Sequence, residues 1–391
     1  MSGIFNPIWT QEQINAAFNC GEKTPYYYFD ADIFRNSIDR IKSLMPSGVK
    51  ICYAVKSNTW LADYALPNAD YVEVCSPGEL ELTRHLNIPD EVIVADGVCK
   101  TNEDMNTLAQ SSVRRIVVES VRQAEILNEC ACALGVVKKV LLRLSSGSQF
   151  GMSEEDIEYI MSHKASFPAL NICGLHCYFG TQKRNASELR RSFAAIKALA
   201  DRLALRETEF GPGLGAVQSP SQDKNTYAEC LEAVCEGFSK LAENHEAVIE
   251  CGRLFAAYAG VYVTSISERK TIGSRKFCIT DGGSNHLVYD GQAYGSPVPF
   301  IVPEAADGEA EKVIVCGALC AETDILANGA ELSGAHEGTR LMFMSAGAYG
   351  VTEGRSLFLS RALPAVVCRK GEETITLRGH TDTWQINTRR R

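Results

Sequence analysis

Three short segments of this sequence carry groups suited to covalent, acid–base or phosphate-binding chemistry, and two of them are reached through an apolar run. Lys56 follows Ile51-Cys-Tyr-Ala-Val55. A lysine at the point where a strand leaves the core is partly desolvated, which favours its neutral amine and makes it a Schiff-base nucleophile. Glu250-Cys-Gly-Arg253 closes a second apolar run. Its carboxylate can keep a heteroaromatic ring nitrogen protonated, and its guanidinium can take the oxygens of a phosphate or a carboxylate. Gly211-Pro-Gly-Leu-Gly215 offers main-chain amides that a phosphate can approach without meeting side chains. Taken singly, each has an ordinary structural alternative: a snorkelling surface lysine, a local ion pair, a turn.

The elements around these residues supply a reason for them to meet. Between about residue 27 and residue 255, short apolar runs alternate with longer amphipathic segments, the pattern of repeated βα units around a parallel sheet. Strands are expected at residues 27–29, 50–54, 71–74, 91–94, 115–118, 140–144, 171–176, 209–211 and 247–250, with helices between them, for example at 120–132 and 187–203. That is an eight-stranded barrel with one strand to spare. Lys56, Glu73, Arg143, His176, Tyr178, Gly211, Gly213, Glu250 and Arg253 all lie at or just past strand ends. In a barrel such residues share the catalytic face. After about Ala257 the texture changes to strand-like runs at 260–265, 276–280, 312–316, 339–345 and 363–367, joined by turns. The expectation is a TIM-like α/β barrel over residues 27–256, with residues 1–26 and 257–391 forming a mostly antiparallel β domain.

Composition narrows the function classes. The 391 residues are 45% hydrophobic and 22% charged, enough for two domains with sizeable cores. No run of about 20 uncharged apolar residues occurs and the N-terminus lacks a secretory pattern, so no membrane partner and a cytoplasmic location are expected. Fifteen cysteines are scattered singly, which reads as reduced thiols. Cys130 and Cys132 have no nearby histidine pair, and no metal site is expected. The net charge is -9 and the only basic cluster is Arg389-Arg-Arg391, too short to form a nucleic-acid groove.

Seven segments, in order, resemble the fold-type III pyridoxal-phosphate (PLP) decarboxylases, the group that includes diaminopimelate, ornithine and arginine decarboxylases and shares its barrel with alanine racemase. They are Tyr53-Ala-Val-Lys-Ser-Asn58, Val72-Glu-Val-Cys-Ser-Pro-Gly-Glu-Leu80, Gln149-Phe-Gly151, Gly174-Leu-His-Cys-Tyr-Phe-Gly-Thr-Gln182, Glu250-Cys-Gly-Arg253, Cys316-Gly-Ala-Leu-Cys-Ala-Glu-Thr-Asp324 and Ala346-Gly-Ala-Tyr-Gly350. The resemblance covers nearly the whole chain. It implies pyridoxal 5'-phosphate held by Lys56 as a Schiff base, with Glu250 on the ring nitrogen so that the ring accepts the electrons left by departing carbon dioxide. Arg253, Gly213, Thr181 and Tyr349 would surround the phosphate or the substrate carboxylate, and Glu73, Arg143 and Tyr178 would complete the cofactor site. Cys320, delivered from the other subunit of a homodimer, would return a proton to the α-carbon; without the flanking pattern it reads as a structural thiol. Arg253, Glu322, Asp324 and Tyr349 are the expected substrate contacts.

The departures from the family pattern bear on the substrate, an amino acid either free, conjugated or carrier-bound. Tyr178 stands where the family has a histidine stacked on the ring, Pro212 replaces the middle glycine of the phosphate loop, and Ala321 replaces the acidic residue after the cysteine. Asp281-Gly-Gly-Ser-Asn-His-Leu287 lacks the arginine that diaminopimelate decarboxylases carry after it, which argues against that substrate. Gly350-Val-Thr-Glu-Gly-Arg-Ser-Leu-Phe-Leu359 looks more like the antibiotic and siderophore branch, although Ser145-Ser-Gly-Ser148 is short where that branch has a long insertion. An amino-acid racemase on the same fold and a non-catalytic PLP-binding regulator are the alternatives. Racemases of this fold pair the ring nitrogen with arginine and use a tyrosine base, whereas here the positions hold Glu250 and Cys320.

Overall fold

The structure is a computed structural model that describes residues 1–6, 9–304 and 307–389. Arg390 and Arg391 of the basic C-terminal cluster lie outside the described residues. Seventeen strands are described. In chain order they are β1 (Tyr26–Asp30), β2 (Lys50–Ala54), β3 (Tyr71–Val74), β4 (Ile93–Ala95), β5 (Arg115–Val118), β6 (Lys138–Leu144), β7 (Leu170–Tyr178), β8 (Glu207–Gly211) and β9 (Glu246–Cys251), then β10 (Gly260–Ile272), β11 (Arg275–Thr280), β12 (Ile301–Pro303), β13 (Glu311–Cys316), β14 (Ile325–Leu332), β15 (Arg340–Phe343), β16 (Ala365–Lys370) and β17 (Glu373–Arg378). Contacts divide the chain into two units, one of Met1–Ile4, Arg35–Gly215 and Asn225–Gly252, the other of Phe5–Phe34, Ala216–Lys224 and Arg253–Arg391.

The first unit holds the closed barrel β2 to β9. All its strand pairs are parallel, and β9 returns to β2 with Lys50 opposite Val248 and Tyr53 opposite Cys251. Most of its strands are largely apolar, as strands covered on both faces tend to be, whereas β8 buries Glu207, Thr208 and Glu209. Cys52, Val94, Val117, Leu141 and Val248 pack together as one buried layer, so the barrel is filled. Short connections lead to capped helices. Ser76 caps Pro77–His85, Thr101 forms a capping box on Asn102–Gln110, and Ser120 and Asn185 cap Val121–Leu134 and Ala186–Arg202. These caps fix where each helix begins, and with it the loop that leaves the end of each strand.

In the second unit the sheet runs β14-β13-β11-β10-β1-β16-β17, with β15 against both β10 and β12. It is mixed and mostly antiparallel; β1 with β16 and β11 with β13 are the parallel pairs. Residues two apart pack on one face: Tyr26 and Tyr28, Val261 and Val263, Met342 and Met344, Ala365 and Val367. The spare strand of the sequence reading is therefore β1. Starting the barrel at residue 27 and ending it at residue 256 gives it residues 27–30 and Arg253–Ala256, which the contacts group with the sheet. Tyr26–Asp30 is as buried as any barrel strand, and only its pairing partners tell the two apart.

Candidate active site

Lys56 lies just past β2 in a single 3-10 turn, Val55–Ser57. Its Nζ is 2.8 Å from Glu73 Oε2, 3.2 Å from Glu250 Oε1 and 3.4 Å from Cys75 Sγ, and it lies 5.6 Å from the centre of the Tyr178 ring. Glu73 is on β3 and Glu250 on β9, the strands on either side of β2. Both carboxyl groups are buried, and Glu73 Oε1 and Glu250 Oε2 have no hydrogen-bond partner among the described residues. His176, fully buried on β7, approaches these same two atoms at 3.9 and 3.7 Å, beyond hydrogen-bond distance. Burial and the neighbouring charge of Glu250 push Glu73 well above the usual carboxylate range. For Glu250 the same burial is outweighed by Lys56 and His176, which bring its carboxyl down to about 2. The two carboxyls are thus driven apart, Glu73 toward its neutral form and Glu250 toward the carboxylate.

Glycine makes this closeness feasible. A β-carbon on Gly211 would stand 2.5 Å from Glu250 Oε2 and 2.9 Å from the Tyr178 ring. At Gly213, with φ +68°, it would stand 2.1 Å from the carbonyl oxygen of Gly180, so the turn after β8 lies directly against the turn after β7, where exposed Thr181 sits. Lys183 N donates to Gly213 O across the same contact at 3.0 Å.

Arg143 is ion-paired beside the site. Its Nη1 donates to Asp96 Oδ2 at 2.5 Å and to Glu119 Oε1 at 2.7 Å, with all three residues buried. It therefore neutralises two carboxylates at the ends of β4 and β5. Asp96 is held below its usual range despite burial, because His176, Arg143 and Lys100 face it. Glu209 on β8 was not anticipated either. Its side chain is fully buried beside the barrel interior, level with His176 on β7 and Val248 on β9. Burial, then the charges of Glu250 and Glu207, raise its carboxyl to about 8. The Cys52 thiol is near, too loosely placed to count as a hydrogen bond.

The remaining predicted residues belong to the sheet unit. The Arg253 guanidinium lies 4.4 Å from the centre of the Tyr349 ring, and its Nη2 is 3.9 Å from Asp290 Oδ2. Tyr349 has φ +64°, a strained conformation for a tyrosine at the head of the short helix Gly350–Glu353. Cys320 and Glu322 are exposed on the loop between β13 and β14. Asp324 differs from its expected substrate role. It is 2% exposed, and its oxygens accept from Ser284 N and Leu319 N, each at 2.7 Å. With both oxygens bound to main-chain amides, it shapes the Cys320 loop.

A family model described as "Pyridoxal-dependent decarboxylase, pyridoxal binding domain" matches residues 31–257. The chain belongs to the pyridoxal-dependent decarboxylases. It is 28% identical to the diaminopimelate decarboxylase of Aquifex aeolicus, over 84% of this chain and 82% of that one. It is 26% identical to the L-glutamyl-[BtrI acyl-carrier protein] decarboxylase of Niallia circulans, over 92% of each. Among solved structures, AQ1208 from Aquifex aeolicus superposes with a TM-score of 0.83 at 25% identity, over 95% of this chain and 92% of that one. The decarboxylase is a PLP-dependent enzyme of amino-acid metabolism with the fold-type III architecture.

The barrel residues fit that cofactor. Lys56 offers an amine among carboxylates, the buried Glu250 Oε2 lacks the N–H donor that a protonated ring nitrogen would supply, Tyr178 presents a ring face, and Gly213 leaves main chain bare. Among the described residues no helix is long and apolar enough to cross a membrane.

Proposed function

We propose that the decarboxylase releases carbon dioxide from an amino acid, free, conjugated or carrier-bound, with Lys56 as the residue that carries the cofactor and Cys320 as the acid that protonates the α-carbon. The observation that carries this reading is the Lys56 amine lying within 3.2 Å of both Glu73 and Glu250. When bound, pyridoxal phosphate supplies a carbonyl carbon to which amines attach and a ring that accepts the electron pair left by carbon dioxide. Glu73 accepts a hydrogen bond from the Lys56 amine at 2.8 Å and so fixes where that nucleophile stands. Glu250, ionised and with Oε2 open, holds a ring N–H and keeps the ring electron-poor. Tyr178 would offer its ring to the cofactor ring, and Gly213, Thr181, Arg253 and Tyr349 would be the groups that take the phosphate.

Cys320 is exposed on its loop, as a proton donor shared across an interface must be, and we assign it to the site of the partner subunit in a homodimer. Fifteen free thiols suit a reducing cytoplasm. The relative from Niallia circulans makes a carrier-bound glutamyl group one substrate to test, and the relative from Aquifex aeolicus makes diaminopimelate another. No nucleic-acid or membrane partner enters this reading.

The test is carbon dioxide release from PLP-loaded protein on a panel of free, conjugated and carrier-bound amino acids, followed by mixing two inactive variants, Lys56→Ala and Cys320→Ala. Mixing restores activity where one intact site forms from two chains. Release from no panel member refutes the substrate class, and full activity of Cys320→Ala alone refutes the shared acid.

A further inference from the structure

Arg355 is a cation of the Cys320 loop assembly that is fixed by two side-chain bonds and still has most of its donors unspent. Its Nη2 donates to Ser284 Oγ and to Thr323 Oγ1, both at 3.3 Å, and its guanidinium lies 5.9 Å from the centre of the Phe358 ring. Neither Nε nor Nη1 has a partner among the described residues, and no carboxylate there pairs with it. Since a guanidinium has five N–H donors, three point to nothing but solvent. The anchor is rigid all the same. Ser284 N is fixed by Asp324 Oδ1 at 2.7 Å, and Leu319 N by the other oxygen of that buried carboxylate.

The other charged groups of this assembly are placed differently. Arg361 also keeps donors open but is held by a single bond, Nη2 to Ala318 O at 2.7 Å, against the two side-chain bonds that fix Arg355; Asp324 is buried and occupied, and the residue after Cys320 is the uncharged Ala321. Glu322 is exposed and could attract a cation. Thr323, to which Arg355 is tied, follows Cys320 by three residues, so at most about 10 Å of chain separates their α-carbons. A group that protonates the α-carbon therefore arrives with a fixed guanidinium close by.

We propose that Arg355 is a specificity-determining residue that binds a carboxylate at the far end of the substrate's side chain. The proposal rests on the assignment of Cys320 to the decarboxylation site. Once the α-amine is attached to the cofactor and the α-carboxylate is the leaving group, the side chain is what remains for this loop to recognise. A fixed arginine with open donors selects an anion there, through charge-assisted hydrogen bonds that an ammonium-ended side chain cannot make. The substrate class is then an amino acid, or a conjugate, whose side chain ends in a carboxylate.

The experiment compares kcat and KM for chain-length-matched amino acids ending in a carboxylate or an ammonium, in the wild type and in Arg355→Gln and Arg355→Lys. The wild type favours the carboxylate series. In Arg355→Gln the ratio of kcat/KM between the two series falls about 10- to 100-fold, mostly through KM, and Arg355→Lys restores part of it. A wild-type preference for ammonium-ended substrates overturns the proposal, as does an equal loss on both series, which marks Arg355 as a brace for the loop alone. If the wild type releases carbon dioxide from no amino acid, the decarboxylation reading itself fails and this proposal goes with it. If activity persists in Cys320→Ala while the carboxylate preference also survives in Arg355→Gln, the loop is not at the site.

Discussion

Glu209→Gln is expected to stabilise the barrel, and to do so only above mildly acidic pH. The wild-type carboxyl is fully buried and raised to about 8 by burial and by the charges of Glu250 and Glu207. In the unfolded chain a glutamate has a pKa of about 4.3. Between those two values the folded state holds a proton that the unfolded state has lost, so wild-type stability declines as pH rises from about 4.5 and levels off above about 8. The slope is about 1.4 kcal/mol per pH unit, for a total on the order of 5 kcal/mol. Glutamine copies the shape and polarity of the neutral acid and does not titrate. At pH 5 the variant and the wild type should therefore melt within a few degrees of each other. At pH 8.5 the variant should melt higher by roughly 10 to 20 °C, taking about 2 to 4 °C per kcal/mol for a unit of this size. The assay is thermal unfolding of both proteins by circular dichroism across that range, using the difference between them so that other titrating groups cancel. A gap that does not grow with pH would show that Glu209 is ionised in the folded barrel and that the burial argument is wrong.

Two further substitutions bear on the site. Lys56→Ala is expected to abolish the visible absorbance of the bound cofactor while leaving the far-ultraviolet circular dichroism of the barrel intact, since Lys56 is partly exposed and fills no core position; retained absorbance would move the attachment to another amine. Arg143→Gln leaves Asp96 and Glu119 buried without their shared cation, a change that costs about 3 to 5 kcal/mol, and it should lower the urea midpoint sharply, with partial recovery when the pH is lowered and the two carboxylates take up protons.

Much of the barrel was legible because its strands are short apolar runs at a steady spacing, and the strand-end rule placed Lys56, Glu73, Tyr178 and Glu250 together before any coordinates. The same rule, carried through evenly, would have found Asp96 and Glu119, which follow β4 and β5 by one residue each. With them in view, the charge of Arg143 is seen to be shared with two buried carboxylates at the ends of neighbouring strands. Glu209 was harder. An acid in a strand that also carries Glu207 and Thr208 reads as the strand's solvent face, and only barrel closure shows that this face is interior. In the sheet unit, β14 was hidden by Asn328-Gly329, where the pairing with β13 shifts register, and β17 by its exposed, polar alternation at a sheet edge. Asp324 and Arg355 mark the physical limit of sequence reading. One is an acid in an acidic loop and the other an arginine in a turn, and which of them serves the backbone and which stays open to a ligand is decided by hydrogen bonds to residues 40 and 71 positions away. Composition carries no trace of such pairings, so the charge that selects a substrate can be counted in the sequence but not located there.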